Sequence, residues 1–330
     1  MNRRTMIVAG MILCALMGLG CNSQTKQATP TPSPQAQPEP PAQPQSVITE
    51  TQPMPVPSNA LKINADKAWQ YNKEVVGFGS RAVNSEGHKK LENYLKTKLK
   101  NDNLEIDEFT SNAPIGQFTG RNYIAKFPGK KDGIIVIAGH YDTLYNLPKF
   151  VGANDGGSST ALPLAIADAL RGKPNDGYSV WLLFTDAEEA FVDWNKNDDN
   201  LYGTKHLAQK WKQDGTSAKI KAFILVDMLG DADLDVDEDV NSTPALRKVV
   251  YQAATNLGYQ SHFFQRLNAF EDDHRPFGKI GVPVVDILDI NYGYNGSLHH
   301  SVEDTLDKES PKSLGISGDV VLETVRLLNQ

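Results

Sequence analysis

Between Gly133 and Val285 the sequence carries four short, dense apolar runs: Gly133 to Ala138, Tyr178 to Phe184, Ala222 to Val226 and Val282 to Val285. Runs of this kind suit strands covered on both faces, because neither face tolerates alternating polar residues. Between and after them the apolar spacing turns helical, over Ala161 to Leu170, Gly203 to Trp211, Pro244 to Leu257 and Ser317 to Leu328. Strand and helix in alternation predict an α/β fold, a three-layer sandwich with a mixed, mostly parallel central sheet. Ahead of the first run, Ala65 to Val76 and Ser85 to Leu99 are Lys-rich and helical in period, while Leu104 to Phe109 and Asn122 to Phe127 alternate as strands do, and these are expected in the outer layers. Pro163 is expected to delay or kink its helix.

The N-terminus follows another pattern. Arg3 and Arg4 precede an apolar run from Met6 to Leu19, too short to span a bilayer, which ends in Gly18-Leu19-Gly20-Cys21. Residues 1–20 are therefore expected to be a lipoprotein signal peptide and Cys21 a lipidated N-terminus, which places the protein outside a bacterial membrane, facing periplasm or exterior. Residues 21–58 are rich in Pro, Gln, Thr and Ser and are expected to be a disordered tether, since so little apolar surface does not offset chain entropy. Residues 59–330 remain for one catalytic domain. Losing Arg3 and Arg4 leaves 31 of 33 basic residues against 40 acidic ones, so the net charge moves from -7 to -9 and nucleic acid is not an expected partner. Both cysteines, Cys14 and Cys21, precede the domain. That excludes a disulfide, a catalytic cysteine and a thiolate metal site there, and directs any metal to histidine and carboxylate.

In an open α/β sheet ligands sit beyond the carboxyl ends of the strands. The residues following each run are ionisable: His140-Tyr141-Asp142, then Asn154-Asp155-Gly156-Gly157, Glu188-Glu189, Asp227, and finally His300 in Leu298-His299-His300-Ser301. Nitrogen and oxygen ligands converging on one edge suit zinc. Two adjacent glutamates point in different directions from one turn, so Glu189 is assigned to the metal and Glu188 to proton transfer. Gly156 and Gly157 let the backbone bend to aim Asp155, and Asp142 is placed to orient His140.

In this order the residues resemble the zinc aminopeptidases and, more closely, the animal-type glutaminyl cyclases of the same superfamily. The frame is His140-x-Asp142, Asp155, Glu188-Glu189, Asp227 and His300 followed by Ser301 to Thr305, with cyclase-like stretches at Leu104 to Phe109, Glu188 to Trp194, Asn200 to Ala208 and Asp272 to Phe277. The resemblance implies a zinc aminopeptidase-like fold and one zinc on Asp155, Glu189 and His300. It also implies an acid chain of Glu188, Asp227 and Asp272, and conversion of an N-terminal glutamine to pyroglutamate with release of ammonia. Peptide or protein N-termini would be the substrates.

Two positions depart from the cyclase pattern: His299 stands where cyclases carry a tryptophan, and Asp286 where they carry a histidine. Trp194, His299 and Asp286 are expected around the substrate. A hydrolase reading stays open, with His140, Asp142 and Asp227 completing or supporting a second metal site beside Asp155 and Glu188 activating water for aminopeptidase cleavage. An inactive, lipid-anchored binding module is the third reading. Asp231 to Asp239 invites a calcium loop but lacks the required Gly, and a solvated acidic loop is expected.

Overall fold

The computed structural model describes residues 45–46, 48–49 and 51–330, so the signal segment, Cys21 and most of the expected tether lie outside the described residues. The strands are β1 (Leu104–Ala113), β2 (Gly116–Phe127), β3 (Lys131–His140), β4 (Tyr178–Thr185), β5 (Ile220–Asp227), β6 (Val236–Asp239), β7 (Phe263–Asn268) and β8 (Val284–Leu288). The α-helices are α1 (Ala65–Val76), α2 (Glu86–Leu99), α3 (Ser159–Leu170), α4 (Tyr202–Gln213), α5 (Pro244–Leu257), α6 (His274–Lys279) and α7 (Pro311–Leu328). The main sheet runs β1-β2-β4-β3-β5-β8, so the four apolar runs become four consecutive, mutually parallel neighbours. The β1–β2 hairpin, expected outside the core, instead extends this sheet antiparallel along β4.

Side chains alternate between two cores, as the pleat requires. Ile135, Ile137, Ile224, Val285 and Ile287 face α1, α2, α3, α5 and α7. Ile134, Val136, Ala138, Phe223, Leu225 and Val284 face α4 and α6 through Leu207, Trp211 and Phe277. The result is a three-layer α/β sandwich. Because β3, β4, β5 and β8 are parallel, their carboxyl ends share one edge, and the loops carrying ionisable residues meet there.

Three sequence expectations are corrected. The helix through Pro163 starts at Ser159 without delay, with the proline in its second turn, where the ring removes only one ladder bond. The stretch expected as a tether up to Ser58 is partly docked on α5: the Met54 amide donates to Asn256 (2.8 Å), Gln252 donates to the Gln52 carbonyl (2.9 Å), and Ile48 packs on the core. The acidic stretch is no solvated loop. Asp237, Glu238 and Asp239 are buried in β6, paired in parallel with β7: Asp237 meets Arg266 and accepts from the side-chain amide of Asn291, Glu238 meets Arg247, and Asp239 accepts from the Ser242 hydroxyl and the Phe270 backbone amide.

Candidate active site

The metal-ligand candidates arrive from three loops. Asp155 follows β3 in a tight turn where Gly156 has φ +80°, and a Cβ there would meet the Asp142 carbonyl oxygen at 2.3 Å. Glu189 follows β4, in a turn entered through Ala187 at φ +55°. His300, after β8, itself sits at φ +52°. Left-handed backbone at non-glycine residues is costly, and here it falls beside or at the reactive groups. His300 Nε2 stands 3.4 Å from Asp155 Oδ2 and 3.3 Å from Glu189 Oε2. Asp155 Oδ2 and both carboxylate oxygens of Glu189 are buried without a hydrogen-bond partner. Buried carboxylate oxygens left unpaired cost several kcal/mol as an order of magnitude, and one oxygen-seeking cation beside His300 would satisfy them together. One imidazole and two carboxylates are a donor set that fits zinc.

The electrostatics agree with that set. Burial opposes ionisation of Asp155, but His140 and His300 override it and hold the carboxyl well below the usual range. Burial and the neighbouring Asp155 push Glu189 up to about 7. Burial opposes protonation of His300, yet Glu189 and Asp155 carry it up to about 9. Protons therefore occupy positions that a divalent cation would take over.

Glu188, Asp227 and Asp272 line the same cavity of about 220 Å³ as Asp155, Glu189, His299 and His300. Burial, then Glu189 and Asp272, push Glu188 well above the carboxylate range, and burial with Asp227 does the same to Asp272. His140 Nε2 is 3.2 Å from both Asp155 Oδ1 and Asp227 Oδ1, and the Ser159 hydroxyl donates to that same Asp227 oxygen at 2.5 Å. Asp142 Oδ1 stands 3.7 Å from His140 Nδ1, and its carboxylate also accepts the amides of Glu188 (3.1 Å) and Glu189 (3.2 Å). It therefore fixes the glutamate turn as well as facing the histidine.

The family model described as Peptidase family M28 matches residues 122–325. Among solved structures, an Acidobacteriales bacterium glutaminyl cyclase is 48% identical, covering 85% of this chain and 99% of its own, with TM-score 0.81. The chain belongs to peptidase family M28, in its glutaminyl cyclase branch. A Porphyromonas gingivalis glutaminyl cyclase aligns at 27% identity over 80% of this chain and 98% of its own, TM-score 0.72. The glutaminyl-peptide cyclotransferase of Drosophila melanogaster is 29% identical over 253 residues, 68% of this chain and 70% of that protein.

Of the expected substrate contacts in this cyclase-branch site, Trp194 and His299 line the cavity, the latter tilted by 38° against His300 with ring centroids 3.8 Å apart. Asp286 does not. It lies in β8 on the face shared with Val284, which turns it toward α6, and its Oδ2 is 3.4 Å from Nδ1 of the fully buried His274. His274 Nε2 in turn faces Asp239 at 3.2 Å. The sequence shows His274 only as one member of the Asp272 to Phe277 stretch, and gives no sign of Met228, Phe270, Leu288 and Ile290, which form the apolar side of the cavity. Period-2 parity along β8 is the signal that could have placed Asp286.

Proposed function

We propose that this protein is a zinc-dependent glutaminyl-peptide cyclotransferase that closes an N-terminal glutamine onto its own α-amine and releases ammonia. The carrying observation is one small cavity in which Glu188 and Asp272 stand beside the orphaned oxygens of Asp155 and Glu189. At about 220 Å³ it falls below the ~300 Å³ at the lower end of ordinary ligand sites, which suits one terminal residue rather than a length of peptide.

Zinc on Asp155, Glu189 and His300 would polarise the side-chain amide carbonyl of the substrate. The acidic wall attracts the α-amine in its cationic form; once this ammonium has released a proton to solvent, the neutral nitrogen attacks the amide carbon and Glu188 takes one proton from it. Glu188 then gives that proton to the departing nitrogen, which leaves as ammonia while the pyroglutamyl ring closes. Asp227 and Asp272 hold the charge balance around Glu188. Trp194 and the apolar side of the cavity orient the chain and exclude water. Since nucleophile and electrophile belong to one residue, orientation supplies much of the rate.

Aminopeptidase chemistry needs a second metal near His140 and Asp227. The buried donors of His140, Asp155 and Asp227 do converge, with His140 Nε2 3.2 Å from an oxygen of each carboxylate, and this is the observation that supports the two-metal aminopeptidase as the second reading. The expected lipid on Cys21 would hold the enzyme at a bacterial membrane, on the exported side, where peptide and protein N-termini reach it. The test is to give the purified protein a glutaminyl peptide. Loss of ammonia from an otherwise intact peptide, abolished by a chelator and restored by Zn²⁺, supports the proposal. An uncyclised peptide with folded, metal-loaded protein refutes it.

A further inference from the structure

Arg81 is fully buried beneath the metal-ligand turn, yet no carboxylate lies within ion-pair distance of it among the ion pairs of the described residues. Its guanidinium is spent on backbone carbonyls. Nη2 donates to Gly152 (2.7 Å) and Asp155 (3.4 Å), Nη1 to Val151 and Gly79, and Nε to Tyr141 (3.2 Å). From the other side, the buried carboxylate of Asp304 accepts the amides of Asn154 (2.8 Å) and Asp155 (3.1 Å), and is itself held by the Tyr292 hydroxyl (2.9 Å). One segment, 151–155, therefore has its carbonyls gripped by a cation and its amides by an anion. Gly152, at φ +49°, is required for the fit, since a Cβ there would meet the Asp155 carbonyl oxygen at 2.2 Å.

We propose that Arg81 and Asp304 are positioning residues, a two-sided clamp that fixes the backbone of Asp155 so that its side chain is pre-aimed at the metal. Only a guanidinium has the planar fork to reach these carbonyls together; an ammonium carries the charge without the geometry. The inference rests on the metal reading above, and it makes a prediction opposite to simple electrostatics. A buried cation near a divalent ion repels it, so charge alone would have its removal tighten binding. A clamp would have its removal weaken it.

The experiment titrates the metal-free full chain with Zn²⁺ in competition with a chromophoric chelator, for wild type, Arg81→Met, Arg81→Lys, Asp304→Asn and Tyr292→Phe. Thermal melts of the metal-free proteins report folding, and visible spectra of the Co²⁺-loaded forms report ligand geometry. The clamp predicts affinity reduced about 10- to 100-fold in both Arg81 variants and in Asp304→Asn, with an altered Co²⁺ spectrum. Tyr292→Phe, the mildest change, should lose about 3- to 10-fold, and it decides the matter if the Arg81 variants do not fold. Tighter binding in Arg81→Met with wild-type affinity in Arg81→Lys overturns the clamp, as does unchanged affinity in every folded variant. Wild type that binds no zinc overturns the metal reading itself.

Discussion

Replacing Glu188 by Gln separates proton transfer from metal binding within one turn. The side chain is buried, with only 6% exposure, so a nearly isosteric amide leaves no cavity. The turn itself is unaffected, because Asp142 holds it through the backbone amides of residues 188 and 189. What is lost is a group able to accept and return a proton, typically worth 10² to 10⁴ in rate, or about 3 to 5 kcal/mol of barrier. Burial and the acids around it disfavour charge at Glu188, so a neutral Gln should leave the melting temperature unchanged or raise it. A coupled assay for ammonia reads the rate, and metal analysis of the same sample reads occupancy. The expected result is kcat lowered by at least 10²-fold with metal retained. Loss of metal would mean that the roles of Glu188 and Glu189 are exchanged, and a rate within tenfold of wild type would remove Glu188 from proton transfer.

Trp194→Ala should raise KM by about 2- to 10-fold with little change in kcat, because an aromatic wall acts on bound and reacting substrate alike; steady-state kinetics showing a fall in kcat at constant KM would contradict this. Asp289, buried after β8 and accepting the amides of Asp235 and Asn291, is pushed by burial from 3.8 up to about 7. Between about pH 4 and 7 the folded state then holds a proton that the unfolded state has released, so its contribution to stability is lost as pH rises through that window. Metal-free protein should accordingly melt lower at pH 7.5 than at pH 5, by at most ~1.4 kcal/mol per pH unit from this group, and Asp289→Asn should flatten the slope. An identical slope in the variant would exclude Asp289 as a source.

The parallel core was legible because β3, β4, β5 and β8 are covered on both faces and so are written as unbroken apolar runs. The chemistry was legible for the same reason, since parallel strands deliver their following residues to one edge. What escaped had no such signature. The six residues of α6 are too few to show a helical period, and β6 is a strand of Val-Asp-Glu-Asp whose burial depends on Arg247 and Arg266 from elsewhere in the chain. His274 was read only as part of a motif, because its partners Asp239 and Asp286 meet it through the fold. Arg81 donates to backbone carbonyls, which no side-chain pattern encodes.

Cyclisation and hydrolysis share the residues that hold the metal, so the decisive measurement is of products and metal together. The purified protein should be offered a glutaminyl peptide and a leucyl amide side by side, with bound metal counted in the same preparation. The account predicts ammonia and a pyroglutamyl product from the first, no free leucine from the second, and one zinc per chain. Release of free amino acid by protein carrying two metals would contradict it.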